Sequence, residues 1–262
     1  LIRAESQGIA VEERVFATRE DALRPSFIQF INCKHVTLED FTIKDGPQWT
    51  IHPVYCRHVQ VQRVRILTHG PNTDGINPDS CEDVLIEKCS LSTGDDCIAI
   101  NSGLNEDGWR VNRPCRRVEV RDCVFLGGHA AVAIGSGMSG GVEQVDIHDC
   151  TIRNTERGIR IKSMPGRGGY VRNVTCRNMT IEQVEEEGVQ VSMNYGSSTA
   201  VPVSSKAPVF SDISFRNIEI KGAKVGVEVC GLPESPVKVR LDKVEMQVER
   251  EIQVKDGEVL DF

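Results

Sequence analysis

The chain lacks the features that mark several classes of protein. No apolar run approaches the length of a membrane span, and no signal peptide opens the sequence. No Cys-x-x-Cys pair occurs, which disfavours a zinc site. Positive charge is in deficit, because 31 basic residues face 38 acidic ones and leave a net charge of -7. The sequence therefore predicts neither a membrane nor a nucleic-acid partner, and an anionic ligand would need a local basic patch.

Amphipathic helices and aromatic residues are scarce as well. No segment offers a convincing helical pattern of ten or more residues, and aromatic residues make up 5% of the chain. In their place stand 23 glycines and many Val and Ile residues, which favour β-structure with frequent turns. A length of 262 residues allows one large domain or two small ones.

A recurring phrase of eleven residues organises the chain. Residues 33–43 and 56–66 show it most clearly, since each begins with Cys, has Val in fourth place and alternates apolar with polar residues. The phrase stays constant while the spacing between copies varies, which indicates constant strands joined by variable loops. The fourth residues of the copies are the anchors of the repeat: Val36, Val59, Val84, Val118, Val145, Val174, Ile213 and Val239.

A second short apolar strand follows the phrase in most copies, at residues 98–100, 132–134, 159–161, 189–191 and 225–227. Each copy buries little surface alone, so the copies must stack. The sequence predicts an all-β, single-stranded right-handed parallel β-helix (a solenoid) of about eight coils. Residues 1–262 are predicted to form one domain, in which 1–23 are poorly patterned. The alternative, a β-sandwich, does not explain apolar positions that recur in phase.

The ten cysteines follow the same repeat. Two positions of the phrase hold seven of them: Cys33, Cys56, Cys81 and Cys115 at one, and Cys89, Cys123 and Cys150 at the other. Val, Phe and Ile take these places in other copies, so we expect buried free thiols rather than a disulfide framework. Unpaired thiols favour a reducing compartment and hence a cytoplasmic location. Secretion or a periplasmic location stays an alternative if a signal peptide has been removed.

Two turn-like motifs carry three carboxylates, which the repeat predicts to be neighbours. Asp74 lies two residues before Ile76, and Asp96 lies two residues before Ile98, the equivalent residue one coil later. Their backbones should therefore stack on adjacent rungs, about 4.8 Å apart. Asp95 precedes Ile98 by three residues and shares this turn.

Further polar residues extend the column into the next coils. His129 precedes Val132 by three residues, which predicts that it lies over Asp95. Arg160 and Lys162 follow an inward Ile by one and three residues, so both have the solvent-facing parity. Each residue alone has an ordinary structural explanation, such as turn chemistry or a solvated face. Their convergence in one column is what favours a functional site.

Such a column has a chemical use. Carboxylates at this spacing repel, so one should keep its proton to raised pH while another stays ionised. One acid and one base are what glycosidic bond cleavage requires, and inverting enzymes hold the two carboxyl groups about 6.5–9.5 Å apart. The Arg and Lys beyond would bind an anionic group of the substrate.

These motifs resemble those of the polygalacturonases, family 28 of the glycoside hydrolases. The family pattern Asn-Thr-Asp, Gly-Asp-Asp, Gly-His-Gly and Arg-Ile-Lys is matched in order at residues 72–74, 94–96, 128–130 and 160–162. The resemblance extends from about residue 24 to at least residue 169. It implies a right-handed parallel β-helix that hydrolyses α-1,4-galacturonosyl links of polygalacturonate or pectin by inversion, with no metal and no cofactor.

The resemblance also implies catalytic roles. Asp95 would be the general acid on the glycosidic oxygen, while Asp74 and Asp96 would position and deprotonate the attacking water. His129 would tune Asp95 or help to hold the sugar.

By the same resemblance, Arg160 and Lys162 would bind the uronate carboxylate of an acidic polysaccharide or oligogalacturonide, and Asn72 would support that subsite. The sequence of residues 135–141 resembles more closely the bacterial and plant-like members of the family that often cleave at chain ends, which indicates exo action. The resemblance leaves open the choice between homogalacturonan and rhamnogalacturonan, the degree of methylation and the oligomeric state.

The chain departs from the family in two respects. Ala130 and Ala131 stand where glycine is usual, and their methyl groups are expected to shift His129 or narrow the cleft. Family members also carry further N-terminal coils or a cap, which we expect to be missing here. The long loops at residues 103–114 and 196–208 are expected to border the cleft and a late coil edge.

Two other functions remain open at this point. A Ca²⁺-dependent pectate lyase shares the β-helix and would use the same carboxylates for the cation. A non-catalytic carbohydrate-binding β-helix is compatible with the alanines of the third motif.

Overall fold

The computed structural model describes residues 24–195 and 204–261, together with Glu13. These residues form one right-handed parallel β-helix, in which every pairing between strands is parallel. The assignment of the whole chain, 1–262, to one domain stays a prediction, because most of residues 1–23 lie outside the described ranges.

The elements of the described residues are, in chain order, β1 (Ile28–Ile31), β2 (Lys34–Glu39), β3 (Thr42–Lys44), β4 (Ile51–Val54), β5 (Arg57–Gln62), β6 (Arg65–Leu67), β7 (Glu82–Glu87), β8 (Ser90–Ser92), β9 (Ile98–Ile100), α1 (Asn105–Val111), β10 (Cys115–Arg121), β11 (Val124–Phe125), β12 (Gly128–Ile134), β13 (Val142–Arg153), β14 (Thr155–Lys162), β15 (Tyr170–Glu182), β16 (Glu187–Ser192), β17 (Val209–Lys221), β18 (Val225–Cys230), β19 (Val237–Gln247), β20 (Arg250–Lys255) and β21 (Gly257–Asp261).

Two sheets run the length of the solenoid. Sheet I has 13 strands and contains the repeat phrase, in the order β2-β5-β7-β10-β13-β15-β17-β19-β21, with β3, β6, β8 and β11 alongside. Sheet II has the six strands β9-β12-β14-β16-β18-β20. It is continued towards the N-terminus by single bridges through Ile76 and by the β1-β4 pair. The strands β13, β15, β17 and β19 are long because the two segments of the phrase merge in each of them.

The predicted register of sheet I is confirmed along its length. Each anchor pairs with the next, from Val36 with Val59 to Ile213 with Val239. Val239 then pairs with Val259, which adds a ninth coil to the eight that the sequence predicted. The ninth copy was missed because the chain ends at residue 262, before the phrase is complete.

One strand of sheet II differs from its predicted register by two residues. Val189 pairs with Val227 rather than with Val225, although both lie in β18. A shift of two residues keeps every side chain on the same face of a strand, so apolar alternation cannot distinguish the two pairings. The inward residues of the preceding coils, from Ile76 to Val189, pair as predicted.

Stacked apolar side chains fill the interior, and the thiols belong to this stack. Cys56, Cys81 and Cys115 are fully buried, and the three cysteines of the other repeat position are nearly so. Cys33, in the first coil, is partly exposed. All ten cysteines lie in the described ranges and none forms a disulfide, as the repeat predicted.

A sharp bend follows each anchor at the same place. The fourth residue after the anchor has a left-handed backbone, with φ between 51° and 62°, at Asp40, Arg63, Lys88, Asp122, Asp149, Asn178, Asn217 and Lys243. This conformation is costly for residues other than Gly, Asn and Asp. Side-chain ladders across the coils offset part of the cost, since Asn217 Nδ2 donates to Asn178 Oδ1 at 2.9 Å and Asn178 Nδ2 to Asp149 Oδ1 at 3.1 Å. Bends in register keep the coils superimposed, which aligns the site residues.

The predicted loop at 103–114 contains α1, whose seven residues pack through Gly108 against Ser139. Of the loop predicted at 196–208, residues 196–203 lie outside the described ranges. Within those ranges, no helix has the length and apolar character needed to cross a membrane.

Candidate active site

A cleft of about 320 Å³ opens on the outer face of sheet II. Its lining brings together five of the seven predicted site residues: Asn72, Asp74, Asp95, Asp96 and Lys162. Three larger depressions, of about 350, 450 and 540 Å³, lie elsewhere on the described surface. None holds a carboxylate cluster of this kind, so size alone does not locate the chemistry.

The three carboxylates lie together as the repeat predicted. One oxygen of each of Asp74, Asp95 and Asp96 lies within 4.8 Å of the other two. The ladder that aligns them runs from Gly75 N to Asp96 O at 3.1 Å and from His129 N to Asp95 O at 3.0 Å. The nearest oxygens are thus closer than the 6.5–9.5 Å expected between carboxyl groups of an inverting pair.

Glycine beside the carboxylates permits this close stacking. A Cβ on Gly75 would lie 2.4 Å from the carbonyl oxygen of Cys97, and one on Gly94 would lie 2.2 Å from that of Gly70. Both distances are shorter than any real contact, so a side chain at either place would push neighbouring rungs apart.

The carboxyl group of Asp74 holds its proton to unusually high pH. Burial, followed by the charges of Asp95 and Asp96, raises its pKa from 3.8 to about 7. Asn77 Nδ2 donates to Asp74 Oδ2 at 3.0 Å and opposes the shift, while Asp74 Oδ1 is buried with no partner among the described residues. The sequence predicted that one carboxyl group would keep its proton, but it did not indicate Asp74.

This raised pKa predicts a pH-dependent contribution to stability. The folded chain binds the Asp74 proton more tightly than the unfolded chain, so the contribution is complete below about pH 4 and is lost as pH rises through about 7. Asp74→Asn stays neutral throughout. We expect its unfolding free energy, relative to wild type, to rise by up to about 4 kcal/mol between pH 4 and 8. Urea titrations of both proteins check this, and a difference that does not change with pH would contradict the raised pKa.

Asp96 is held by a buried ion pair. Lys162 Nζ donates to Asp96 Oδ2 at 2.7 Å, and the two side chains are 8% and 3% exposed. The prediction of a solvent-facing Lys162 was therefore wrong in part: the side chain points away from the core, as its parity requires, but it is buried. Its Nζ also lies 5.0 Å from the ring centre of Tyr195.

Asp95 is the most accessible of the three carboxylates, with 19% of its side chain exposed. His129 Nδ1 lies 3.1 Å from Asp95 Oδ1, which confirms the predicted overlap, and Asn72 Nδ2 lies 3.4 Å from Asp95 Oδ2. Asp95 Oδ1 also accepts a hydrogen bond from the backbone N of Asp96 at 2.9 Å. These contacts aim Asp95 into the cleft.

The two alanines do not disturb this arrangement. Ala130 and Ala131 are fully buried and take no part in lining the cleft. Ala130 O accepts a hydrogen bond from Cys97 N at 2.8 Å, so the ladder passes through it unbroken. The expectation that the extra methyl groups would narrow the cleft was wrong, because they are accommodated within the wall of β12, while a shift of His129 stays a prediction.

Arg160 lies at the edge of the cleft. Its Nε donates to Gln190 Oε1 at 2.7 Å, and its guanidinium carbon lies 5.1 Å from the ring centre of Tyr195. Burial lowers the pKa of Arg160 from its usual value. Together with Lys162, it places two cations beside three acidic groups, in a chain that is acidic overall.

Several residues of the site were missed by sequence reasoning, among them Asn77, Trp49 and Tyr195. Asn77 has outward parity three residues after Asp74, a signal that could have revealed it. Trp49 and Tyr195 also line the cleft. Neither residue recurs at an equivalent position in other coils, so the repeat could not predict that they belong to the site.

The carboxylate cluster fits a divalent cation poorly. Three carboxylates within reach of one point are a common calcium arrangement. Here the Lys162 ammonium already neutralises Asp96, and the raised pKa of Asp74 keeps that group protonated up to about neutral pH. The donor set therefore suits proton transfer better than Ca²⁺ coordination.

Comparisons with known proteins agree with this geometry. The model of Glycosyl hydrolases family 28 matches residues 8–256. A probable polygalacturonase of Vitis vinifera is 36% identical over 217 residues, which are 81% of this chain and 44% of that protein. A probable polygalacturonase of Arabidopsis thaliana is 32% identical over 249 residues, 90% of this chain and 52% of that protein. The chain thus spans about half the length of these curated relatives.

A solved structure is similar as well. The crystal structure of a hyperthermoactive exopolygalacturonase from Thermotoga maritima matches with a TM-score of 0.89 at 33% identity, covering 100% of this chain and 60% of that one.

Proposed function

Since the chain belongs to Glycosyl hydrolases family 28, we propose that it hydrolyses α-1,4-galacturonosyl links of polygalacturonate or pectin by single displacement. The observation that carries this proposal is the cluster of Asp74, Asp95 and Asp96, packed within 4.8 Å in a cleft beside a buried lysine. One of the three groups holds a proton up to about pH 7 while another is fixed in an ion pair, so acid and base are available together.

Asp95 is proposed as the general acid. It is the carboxylate most exposed to the cleft, so it is the one that a glycosidic oxygen can approach. In the reaction its proton passes to that oxygen as the bond from the oxygen to the anomeric carbon breaks. His129 and Asn72 contact its two oxygens and fix its orientation.

Asp74 and Asp96 are proposed to hold and deprotonate the attacking water. Asp74 Oδ1 and Asp96 Oδ1 are both buried and have no partner among the described residues, so both can accept hydrogen bonds from one water molecule. In the free protein the shared proton resides on Asp74. Its transfer to Asp95, through a water molecule, supplies the proton that the acid needs and leaves Asp74 ionised, as a base for the attacking water.

This proton cycle balances. Asp95 gives its proton to the leaving oxygen, and Asp74 takes a proton from the water as its oxygen bonds to the anomeric carbon. The cluster then holds one proton on Asp74 again, which is the starting state. Asn77 and Lys162 each hold one oxygen of Asp74 and Asp96, and the other oxygen of each is open to a water molecule, which suits single displacement by that water.

Arg160 and Lys162 are proposed to bind the substrate carboxylate. Lys162 has two further N–H groups beyond the one it gives to Asp96. Arg160 presents a planar donor group suited to a carboxylate, with the ring of Tyr195 beside both cations. A free uronate would therefore bind more tightly than its methyl ester.

We further propose exo action, since the relative from Thermotoga maritima is named an exopolygalacturonase. The loop at residues 135–137 and the residues before α1, Gly103 and Leu104, line the cleft together and are suited to limit its length.

The compartment stays a prediction. The ten free thiols are compatible with a reducing compartment, but the relatives give no support to a cytoplasmic location. Secretion fits a polymeric substrate, whereas a cytoplasmic enzyme would act on imported oligogalacturonides.

Product analysis on polygalacturonate and on rhamnogalacturonan tests the function. We expect new reducing ends from polygalacturonate, galacturonate as the dominant early product, and no loss of rate with a chelator. An unsaturated, ultraviolet-absorbing product that disappears with the chelator would instead identify a lyase. Binding of the polymer without any release of reducing ends would identify a non-catalytic carbohydrate-binding protein.

A further inference from the structure

The outward residues of sheet II form a column that continues beyond the cleft. Each residue in it follows the inward residue of its coil by one position: Asn77, Ala99, Ala133, Arg160, Gln190, Glu228 and Gln253. From Ala99 onwards each pairs in register with the next, and the bridge between Ile76 and Ile98 places Asn77 before Ala99. The two alanines lie on the catalytic side of Arg160, and Ala99 lines the cleft. The guanidinium therefore has open space on that side and a polar neighbour on the other.

The polar part of the column is linked by hydrogen bonds. Arg160 Nε donates to Gln190 Oε1 at 2.7 Å, and Gln190 Nε2 donates to Glu228 Oε2 at 2.7 Å. Gln253 Nε2 donates to the other oxygen of Glu228 at 3.1 Å. An ionised carboxylate only accepts hydrogen bonds, so Glu228 draws the amide nitrogen of Gln190 towards itself and leaves the amide oxygen facing Arg160.

We propose that Gln190 is a positioning residue that holds Arg160 for the substrate carboxylate without neutralising it, and that Glu228 fixes the orientation of Gln190. This role rests on the function proposed above for Arg160. It makes Gln190 a determinant of selectivity for free over methyl-esterified uronate, although Gln190 itself need not touch the substrate.

An amide is suited to this task for an electrostatic reason. A carboxylate in the place of the Gln190 amide would form an ion pair with Arg160 and compete with the uronate for its charge. An amide oxygen accepts the Nε hydrogen but leaves the positive charge available. The terminal nitrogens of Arg160 have no hydrogen-bond acceptor within the described part of the chain, so they are free for a planar carboxylate.

Gln190→Glu tests the role of the neutral amide. We expect KM for polygalacturonate to rise about tenfold with kcat within about twofold, because ground-state binding of the uronate is weakened. KM for a methyl-esterified oligomer should stay unchanged. Gln60→Glu, on the exposed face of β5 in sheet I, is the matched control and should leave all constants unchanged.

Two further variants separate the possible failures. Gln190→Met, which removes the bond but adds no charge, should raise KM less than Gln190→Glu, whereas a merely structural role would make the two alike. Arg160→Met should raise KM for polygalacturonate but not for the ester. If it does so while Gln190→Glu leaves KM unchanged, the role of Gln190 is overturned and the uronate site stands. If Arg160→Met leaves KM unchanged, the proposed uronate contact fails and the role of Gln190 fails with it.

Discussion

Replacing Asp95 by Asn lowers kcat on polygalacturonate by about 10³-fold, within the range for loss of a general acid. The amide keeps the size of the carboxyl group and can still contact His129 and Asn72, so the substrate affinity and the fold should persist. What it cannot do is give a proton to the leaving oxygen. Initial rates of reducing-end release, with the melting temperature measured in parallel, check this result.

Asp242→Asn is a suitable control, because Asp242 lies on the outer face of sheet I and forms a surface ion pair with Arg216. The kcat of this variant should equal that of the wild type. Retention of wild-type kcat by Asp95→Asn would contradict the assignment of Asp95 as the acid. Loss of kcat together with a collapse of the melting temperature would instead indicate a structural role for Asp95.

Replacing Lys162 by Met has the second large effect, on stability as well as activity. The change leaves the Asp96 carboxylate buried without its cation, and loss of one partner of such a pair costs about 3–5 kcal/mol. Turnover should fall with it, because Asp96 loses the ammonium group that holds it in place for the attacking water. Denaturant titration and kinetics on the same samples measure both effects.

Two companions sharpen this test. Lys221→Met breaks an exposed pair with Glu219 and should cost less than about 1 kcal/mol. The double variant Lys162→Met with Asp96→Asn removes both charges, so it should recover much of the stability while remaining inactive. A Lys162→Met protein as stable as the wild type would mean that the Lys162–Asp96 pair is not formed in solution.

The fold was predictable because a solenoid repeats one local pattern. Val36 and Val239 belong to the first and the eighth copies of the repeat, yet the same alternating phrase surrounds both. The pairing of each with the anchor of the neighbouring coil followed from its position in the phrase alone. The same reasoning failed where the repeat pattern was ambiguous or incomplete. Phase could not distinguish Val225 from Val227, and the incomplete phrase around Val259 concealed the ninth coil.

The candidate site was predictable where it followed the ladder. Asp74, Asp96 and His129 were expected together because each lies at a fixed distance from an inward residue, and the structure brings them together. Burial was not predictable, since it depends on side chains that arrive from distant coils. Lys162 has outward parity but is covered within the cleft and bonded to Asp96, 66 positions earlier in the chain.

The same reason explains why the proton-holding group was unknown from sequence. Three acidic residues in two turns predict that one carboxyl pKa will rise, but which one rises depends on burial and on the charges around each group. Only the folded chain shows that Asp74 is covered and that Asp95 remains accessible. The hydrogen bonds that link Arg160 to Gln190 and Gln190 to Glu228 likewise could not be predicted before the register of β16 and β18 was known.

The anomeric configuration of the first product tests inverting hydrolysis in this cleft most directly. Proton NMR of a short oligogalacturonide, recorded during the first turnovers and before mutarotation, distinguishes the anomers at the newly formed reducing end. Cleavage of an α-link by a water molecule held between Asp74 and Asp96 predicts the β-anomer first. Initial appearance of the α-anomer, or of an unsaturated product, would contradict single displacement and with it the roles assigned to the three carboxylates.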